Sequence, residues 1–292
     1  MNDFVIITDS GCDLSLELVK SLNVKYIGLV CNLNEREIIE DFGKSLSYRE
    51  FYDEVRKGAS PSTSQINSFR FCIEFEKYVK ENVDILYISL SSALSGTYNS
   101  AIIAREQILE KYPNASISIF DSKAASSGQG FLVYKAAKLR EMGKSKEYIV
   151  KWLEENHNRV CHYFTVDDLQ HLKRGGRVSA LSADIGTLLN IKPVLYVDEE
   201  GRLIPFCKAR GKKQALRKLF KNLETHLTED TLEDIFISHS DNLEGAESLA
   251  NMIKEKYKVK NIVINYIGLV IGSHTGAGTV ALYFLGTHKA PK

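Results

Sequence analysis

The chain has 292 residues, which is room for two domains of ordinary size, because a single hydrophobic core seldom grows past about 250–300 residues. Lys and Arg total 38 against 37 Asp and Glu, a net charge of +1, and this balance excludes a general polyanion binder driven by excess positive charge. With 44% apolar and 26% charged residues, the composition also excludes the disordered, collagen-like and disulfide-scaffold classes and predicts a folded, soluble protein.

Through the first half, short β-branched runs alternate with amphipathic helical patterns, which predicts an α/β/α layer built on a mainly parallel sheet. Residues 4–8 read as the first strand, Asp13 is placed to cap a helix carrying Leu14, Leu18 and Leu22, and residues 25–31 read as a second strand. Ser47 and Glu50 have capping-box spacing for a helix through Val55, which Gly58 closes. Residues 59–65 read as a hydroxyl-rich loop, 68–82 as a helix and 85–90 as a strand, after which the chain turns at Ser91 into a helix to about residue 111. A buried strand over 117–120 and a helix over about 128–142 complete the layer. A further helix, about 145–157, carries the only tryptophan, Trp152, so domains are expected at 1–157 and 158–292.

The second half predicts strands near 161–166, 193–197, 203–207, 234–238, 261–270 and 279–284, with helices near 212–227 and 242–256. This is an α+β pattern with a mainly antiparallel sheet, and the turn at 198–201 predicts a hairpin. Residues 261–287 contain no Asp, Glu, Lys or Arg, enough length to span a bilayer by charge alone. Asn265, Ser273, His274, Thr275 and several glycines interrupt the stretch, so two buried strands around a flexible Gly-rich loop are expected in place of a membrane span. The first residues lack a basic segment followed by a long apolar run, and a cytoplasmic location is expected. The five cysteines are scattered and odd in number, which predicts reduced thiols, and no Cys or His pair has zinc spacing, so no metal site is expected.

Five places have the residue types for binding chemistry. Thr8-Asp9-Ser10 follows the first strand, where ligands of parallel sheets commonly sit, although local turn and cap bonds would employ the same side chains. Ser62, Thr63, Ser64 and Gln65 supply three hydroxyls and an amide, a neutral grip for an anion, or else a helix cap. Ser95, Gly96 and Thr97 follow a strand and open a helix, so hydroxyls, backbone amides and the helix dipole converge there on a phosphate or carboxylate. The stretch lacks the Walker lysine and the full Gly-x-Gly-x-x-Gly spacing, which removes nucleotide-binding readings by pattern. Arg174 and Arg177 flank a Gly pair, serving either as bidentate donors or as a tie between the domains. His274 lies in the Gly-rich segment 272–278. Separately, residues 202–221 carry eight basic residues and no acidic one, a solvated helix face or a docking strip for an acidic or phosphate-bearing partner.

Taken in order, Thr8-Asp9-Ser10, Pro61-Ser62-Thr63-Ser64-Gln65, Leu94-Ser95-Gly96-Thr97-Tyr98, Arg174-Gly175-Gly176-Arg177, Ile191-Lys192-Pro193 and the His274 segment resemble the DegV family over nearly the whole chain. The resemblance implies a two-domain α/β protein that holds one long-chain fatty acid in a buried tunnel between its lobes and is not itself an enzyme. Members from Gram-positive bacteria look like the fatty-acid-binding subunit of a fatty acid kinase, presenting the acid to a separate ATP-using kinase subunit that makes acyl phosphate for phospholipid metabolism. The resemblance carries carboxylate binding onto Thr63, Ser95, His274 and Arg174, site lining onto Ser62, Ser64, Gly96, Thr97 and Thr275, and kinase docking onto Arg210. It implies no cofactor besides the bound acid, no nucleic acid and no stable membrane insertion, and it gives Cys12 and Cys31 no role. On this reading, protonation of His274 strengthens binding at low pH. A different class of reading, a small-molecule phosphotransferase or kinase, rests on the helix-start anion site at 95–97; a DNA-binding regulator rests only on the basic strip.

Overall fold

The computed structural model describes residues 4–167, 169–178 and 190–291. β1 (Phe4–Asp9) is an almost unbroken apolar run buried on both faces, as the centre of a parallel sheet requires. A 3-10 turn (Ser10–Cys12) leads to α1 (Leu16–Ser21), which Ser15 caps by accepting from the Leu18 amide at 3.1 Å. Asp13 does not cap this helix as expected: it takes a left-handed conformation, φ 48°, and accepts instead from the amide of Gly268, 255 residues away. β2 (Lys25–Ile27) joins the edge of β1, but the single strand expected over 25–31 is broken at Gly28, where a Cβ would strike the Glu40 carbonyl. The chain then leaves the parallel sheet as β3 (Val30–Leu33), which pairs antiparallel with β4 (Arg36–Ile39).

α2 (Tyr48–Arg56) has the expected capping box, with Ser47 Oγ accepting from the Glu50 amide at 3.3 Å and the Glu50 carboxylate accepting from the Ser47 amide at 3.2 Å. The hydroxyl-rich segment is not wholly loop: β5 (Ser62–Ser64) adds to β3, giving a small sheet in the order β4-β3-β5. α3 (Ser68–Val79), β6 (Asp84–Ser89), α4 (Thr97–Lys111), β7 (Ile117–Asp121), α5 (Ser127–Glu141) and α6 (Lys146–Asn156) follow where the hydrophobic periods put them. The parallel sheet runs β2-β1-β6-β7.

The second half comprises β8 (Val160–Thr165), α7 (Gln170–Arg174), β9 (Ile191–Val197), β10 (Leu203–Arg210), α8 (Lys212–Thr225), β11 (Asp234–His239), α9 (Leu243–Lys256), β12 (Asn261–Tyr266), α10 (Leu269–Thr275) and β13 (Val280–Leu285). Its sheet runs β10-β9-β8-β13-β11-β12 and is antiparallel throughout except between β11 and β12. The expected hairpin joins β9 and β10, turning at Gly201 with φ 81°. The molecule is thus a two-domain α/β fold with a parallel N-terminal sheet and a mostly antiparallel C-terminal one. The uncharged stretch 261–287 forms strand, helix and strand, where strand, loop and strand were expected. No helix among the described residues is long and apolar enough to cross a membrane.

α5 is the element between the two large sheets. Phe131, Leu132, Val133, Ala136 and Ala137 on it are buried, and Phe131 meets Phe236 of β11 edge-on at 5.4 Å. The same apolar cluster takes in Leu86 and Ile88 of β6 and Phe164, Leu195 and Ala281 of the second sheet, so one continuous core spans both. The other face of the second sheet packs on α8 and α9. Near the N-terminus of α5 lies a cavity lined by residues of both halves of the chain.

Candidate functional site

The cavity holds about 1020 Å³ of space free of protein atoms, its opening to solvent included. One end of it is polar. Pairing of β5 with β3 puts Thr63 opposite Cys31, and its hydroxyl shares a hydrogen bond of 2.8 Å with His274 Nε2. The Cys31 thiol lies 3.5 Å from Ser273 Oγ, behind the same pair of elements, which gives this cysteine a packing role beside the site. Across from β5, Leu90 is anchored by Asp9, whose Oδ2 accepts from the Leu90 amide at 2.9 Å and from the Tyr87 hydroxyl at 2.7 Å. Asp9 is fully buried and serves the turn, and Ser10 Oγ accepts from the Leu29 amide in the same manner. The strand-end motif therefore positions the site from behind. Beyond Leu90 the chain presents Ser95, whose Oγ accepts from the Thr97 amide at 3.2 Å and lies 2.9 Å from Thr97 Oγ1 at the start of α4. That hydroxyl faces the positive end of a 15-residue helix with no acidic residue in its first turn.

His274 is not on a flexible loop but on α10. This helix is short and carries Gly272, whose lack of a side chain lets the Tyr52 ring approach, while the Tyr52 hydroxyl donates to the Ile267 carbonyl at 2.6 Å. Its first amides are clasped by two buried carboxylates from the other half of the chain: Asp13 Oδ1 accepts from Gly268 at 2.9 Å, Glu40 Oε1 from Leu269 at 2.6 Å and Glu40 Oε2 from Val270 at 3.2 Å. Burial, reinforced at Asp13 by the Glu40 charge, pushes both carboxyls above the usual carboxylate range. The His274 ring lies against Gly175, where any Cβ would overlap Nδ1, and Nδ1 has no hydrogen-bond partner among the described residues. Burial and the nearby Arg177 charge push the imidazole down to about 4. In the free protein it is therefore neutral at ordinary pH.

The two arginines of the Gly-pair motif separate. Arg174 is exposed, donates to Ser60 Oγ and lies outside the cavity wall, so the assignment of Arg174 to the carboxylate network is not what the geometry favours. α7 ends at Arg174, Gly176 takes φ 68°, and this reversal brings Arg177 back to the wall, where its Nε donates to the Leu94 carbonyl at 3.0 Å. Arg177 was visible in the motif, but only the left-handed turn decides which guanidinium faces inward. Ser64, Gly96 and Thr275 line the cavity as expected; Ser62 is exposed outside it, and Thr97 stands behind Ser95. Arg210 is exposed on β10, the sheet's edge strand, and is not among the residues that line the cavity.

The rest of the cavity wall is largely apolar and includes Leu29, Leu94, Phe164, Leu172, Val197 and Ile271. Phe164 comes from the inner face of β8, and so does His162, two residues earlier. The arrangement suits an amphiphile: a small anionic head at neutral donors, a helix start and one guanidinium, with a long apolar body.

Comparison with known proteins agrees with the architecture. The model of a family described as "Uncharacterised protein, DegV family" matches residues 3–287. A DegV domain-containing protein of Clostridium perfringens is 55% identical over 291 residues, covering all of both chains. Among solved structures, a DegV family protein from Thermus thermophilus, reported for its fatty acid binding, superposes with a TM-score of 0.87 at 31% identity, covering 98% of this chain and all of that one. DegV from Bacillus subtilis, described as a fatty acid binding protein, gives a TM-score of 0.84 at 32% identity with the same coverage.

Proposed function

Because the chain belongs to the DegV family, we propose that its cavity holds one long-chain fatty acid, with the carboxylate at Thr63, Ser95, His274 and Arg177 and the acyl chain in the apolar body. The observation that carries this reading is the bonded pair Thr63–His274 at one end of a largely apolar cavity of about 1020 Å³. A chain of about fifteen methylenes, at about 0.8 kcal/mol each, gains roughly 12 kcal/mol as an upper limit, so burial of the tail supplies nearly all the affinity. The head group then needs satisfying more than gripping. Hydroxyls and a neutral imidazole satisfy carboxylate lone pairs, and Arg177, already donating to Leu94, adds one charge without enclosing the ligand in a salt bridge.

A bound carboxylate is already a nucleophile, so a carrier of this kind needs no base of its own; transfer of a phosphoryl group to it would fall to a separate kinase subunit. Edge strand β10 suits docking of such a subunit. It presents Arg210 and Lys208 beside Phe206, which is 39% exposed, and a strand edge unpaired among the described residues. The reading is tested by extracting the purified protein with organic solvent and measuring lipid by mass spectrometry. A stoichiometric long-chain fatty acid is expected; none, together with no uptake on addition, refutes it.

A further inference from the structure

His162 is a polar group without a task in an apolar wall. Its side chain is 1% exposed, it lines the cavity, and neither Nδ1 nor Nε2 has a hydrogen-bond partner among the described residues. The ring lies against Gly128 at the start of α5, where a Cβ would overlap it, and edge-on to Tyr283 at 5.3 Å. Those contacts need only an aromatic or aliphatic side chain. The hydroxyls nearby are already occupied with one another: Tyr283 lies 3.0 Å from Ser238 Oγ, and Ser238 Oγ lies 3.2 Å from Ser126 Oγ. An imidazole buried with both nitrogens unpaired is costly, and buried polar groups are paired as a rule.

The position of His162 relative to the head-group end follows from the sheet. β8 runs into α7 at its C-terminal end, and β13 begins just after α10, with Thr279 Oγ1 donating to the Thr275 carbonyl. Phe164 pairs with Ala281, and His162 with Tyr283, one pleat repeat of about 6.6 Å further from those helices. His162 therefore meets the ligand along its chain and not at its carboxylate. Burial and the Lys289 charge hold the ring well below its usual titration range, so it is neutral, with one nitrogen donating and the other accepting.

We propose that His162 reads a hydroxyl group on the acyl chain, so that the cavity takes hydroxylated long-chain acids in preference to plain ones. A hydroxyl is the substituent that both donates and accepts, and it completes a neutral imidazole from either tautomer. The proposal rests on the fatty-acid reading, and its test separates the two. Stearic acid and a positional series of monohydroxystearic acids are titrated into the delipidated full-length protein and into His162→Phe, with His162→Leu measured in its place if the first variant does not fold. At least one hydroxy isomer is expected to bind the native protein about tenfold more tightly than stearic acid, the scale of one buried hydrogen bond, and in the variant that ratio falls to about one. If native protein and variant rank the isomers alike, or no isomer surpasses stearic acid because a buried water already serves the ring, the role of His162 is refuted and the fatty-acid reading stands. If neither plain nor hydroxylated acid binds, both are refuted.

Discussion

Substitution of Gly175 by alanine sets backbone propensity against packing. Gly175 has φ −72° and ψ −9°, ordinary right-handed values, so alanine would be favoured there by about 0.5–1 kcal/mol on conformational grounds alone. Its Cβ, however, would lie 2.9 Å from His274 Cε1 and closer still to Nδ1, against 3.4–4 Å for ordinary contact. The ring has to retreat by about an ångström, because close-packed interiors absorb little overlap. Such a shift either drives Nε2 into Thr63 Oγ1 or swings it away, and the 2.8 Å bond survives neither. A buried pair left unmade costs about 1–3 kcal/mol, which becomes a loss of about 5- to 150-fold in fatty-acid affinity. Calorimetric titration of the delipidated protein measures it. Gly143→Ala is the control: φ is 77° there and nothing lies within 4 Å of the added Cβ, so it lowers the melting temperature through strain but leaves affinity unchanged. Native affinity in Gly175→Ala would refute the account of how His274 is held.

Thr63→Ala and Ser95→Ala each remove a hydroxyl of the proposed carboxylate site, and each should weaken fatty-acid retention by about 1–3 kcal/mol in a competition assay; unchanged occupancy in both would contradict the head-group assignment. His274 titrates at about 4 in the folded protein, below its ordinary 6.5, so an unfolded chain takes up a proton in that interval that the folded one refuses. Stability is accordingly full above the ordinary value and falls as pH drops toward 4, by about 2 kcal/mol between pH 7 and pH 5 from this residue. Denaturant unfolding at both pH values should show a smaller drop in His274→Gln than in the native protein. Arg210→Ala should leave fatty-acid binding intact and slow acyl-phosphate formation when the kinase subunit is supplied; a fall in lipid binding would move Arg210 into the pocket.

The elements that local physics decides were legible in the sequence. The Ser47–Glu50 capping box and the β-branched run before Ser95 each declare a helix or strand without help from the rest of the chain. What escaped were features made by distant contacts. α10 is short, Gly-containing and without a local side-chain cap, because its caps are Asp13 and Glu40. The edge strand at Thr63 exists only because β3 turned out of the parallel sheet at Gly28. Likewise, the choice between Arg174 and Arg177 hangs on the left-handed turn at Gly176, which the motif permits without specifying. Residue types for the candidate site were therefore readable one by one, while their convergence was not.

The clasp on α10 also bears on the order in which the molecule assembles. Thr63 meets His274 across 211 positions and Asp13 meets Gly268 across 255, among the longest loops this chain can close. Contacts of such sequence separation carry the largest closure entropy and form after local structure is in place. On the ribosome, a nascent first half lacks the Thr63–His274 pair of the proposed head-group site, since His274 is translated 211 residues after Thr63. An unfinished or truncated chain thus exposes apolar cavity wall with no head-group site to close it, and its hazard is aggregation rather than premature ligand binding.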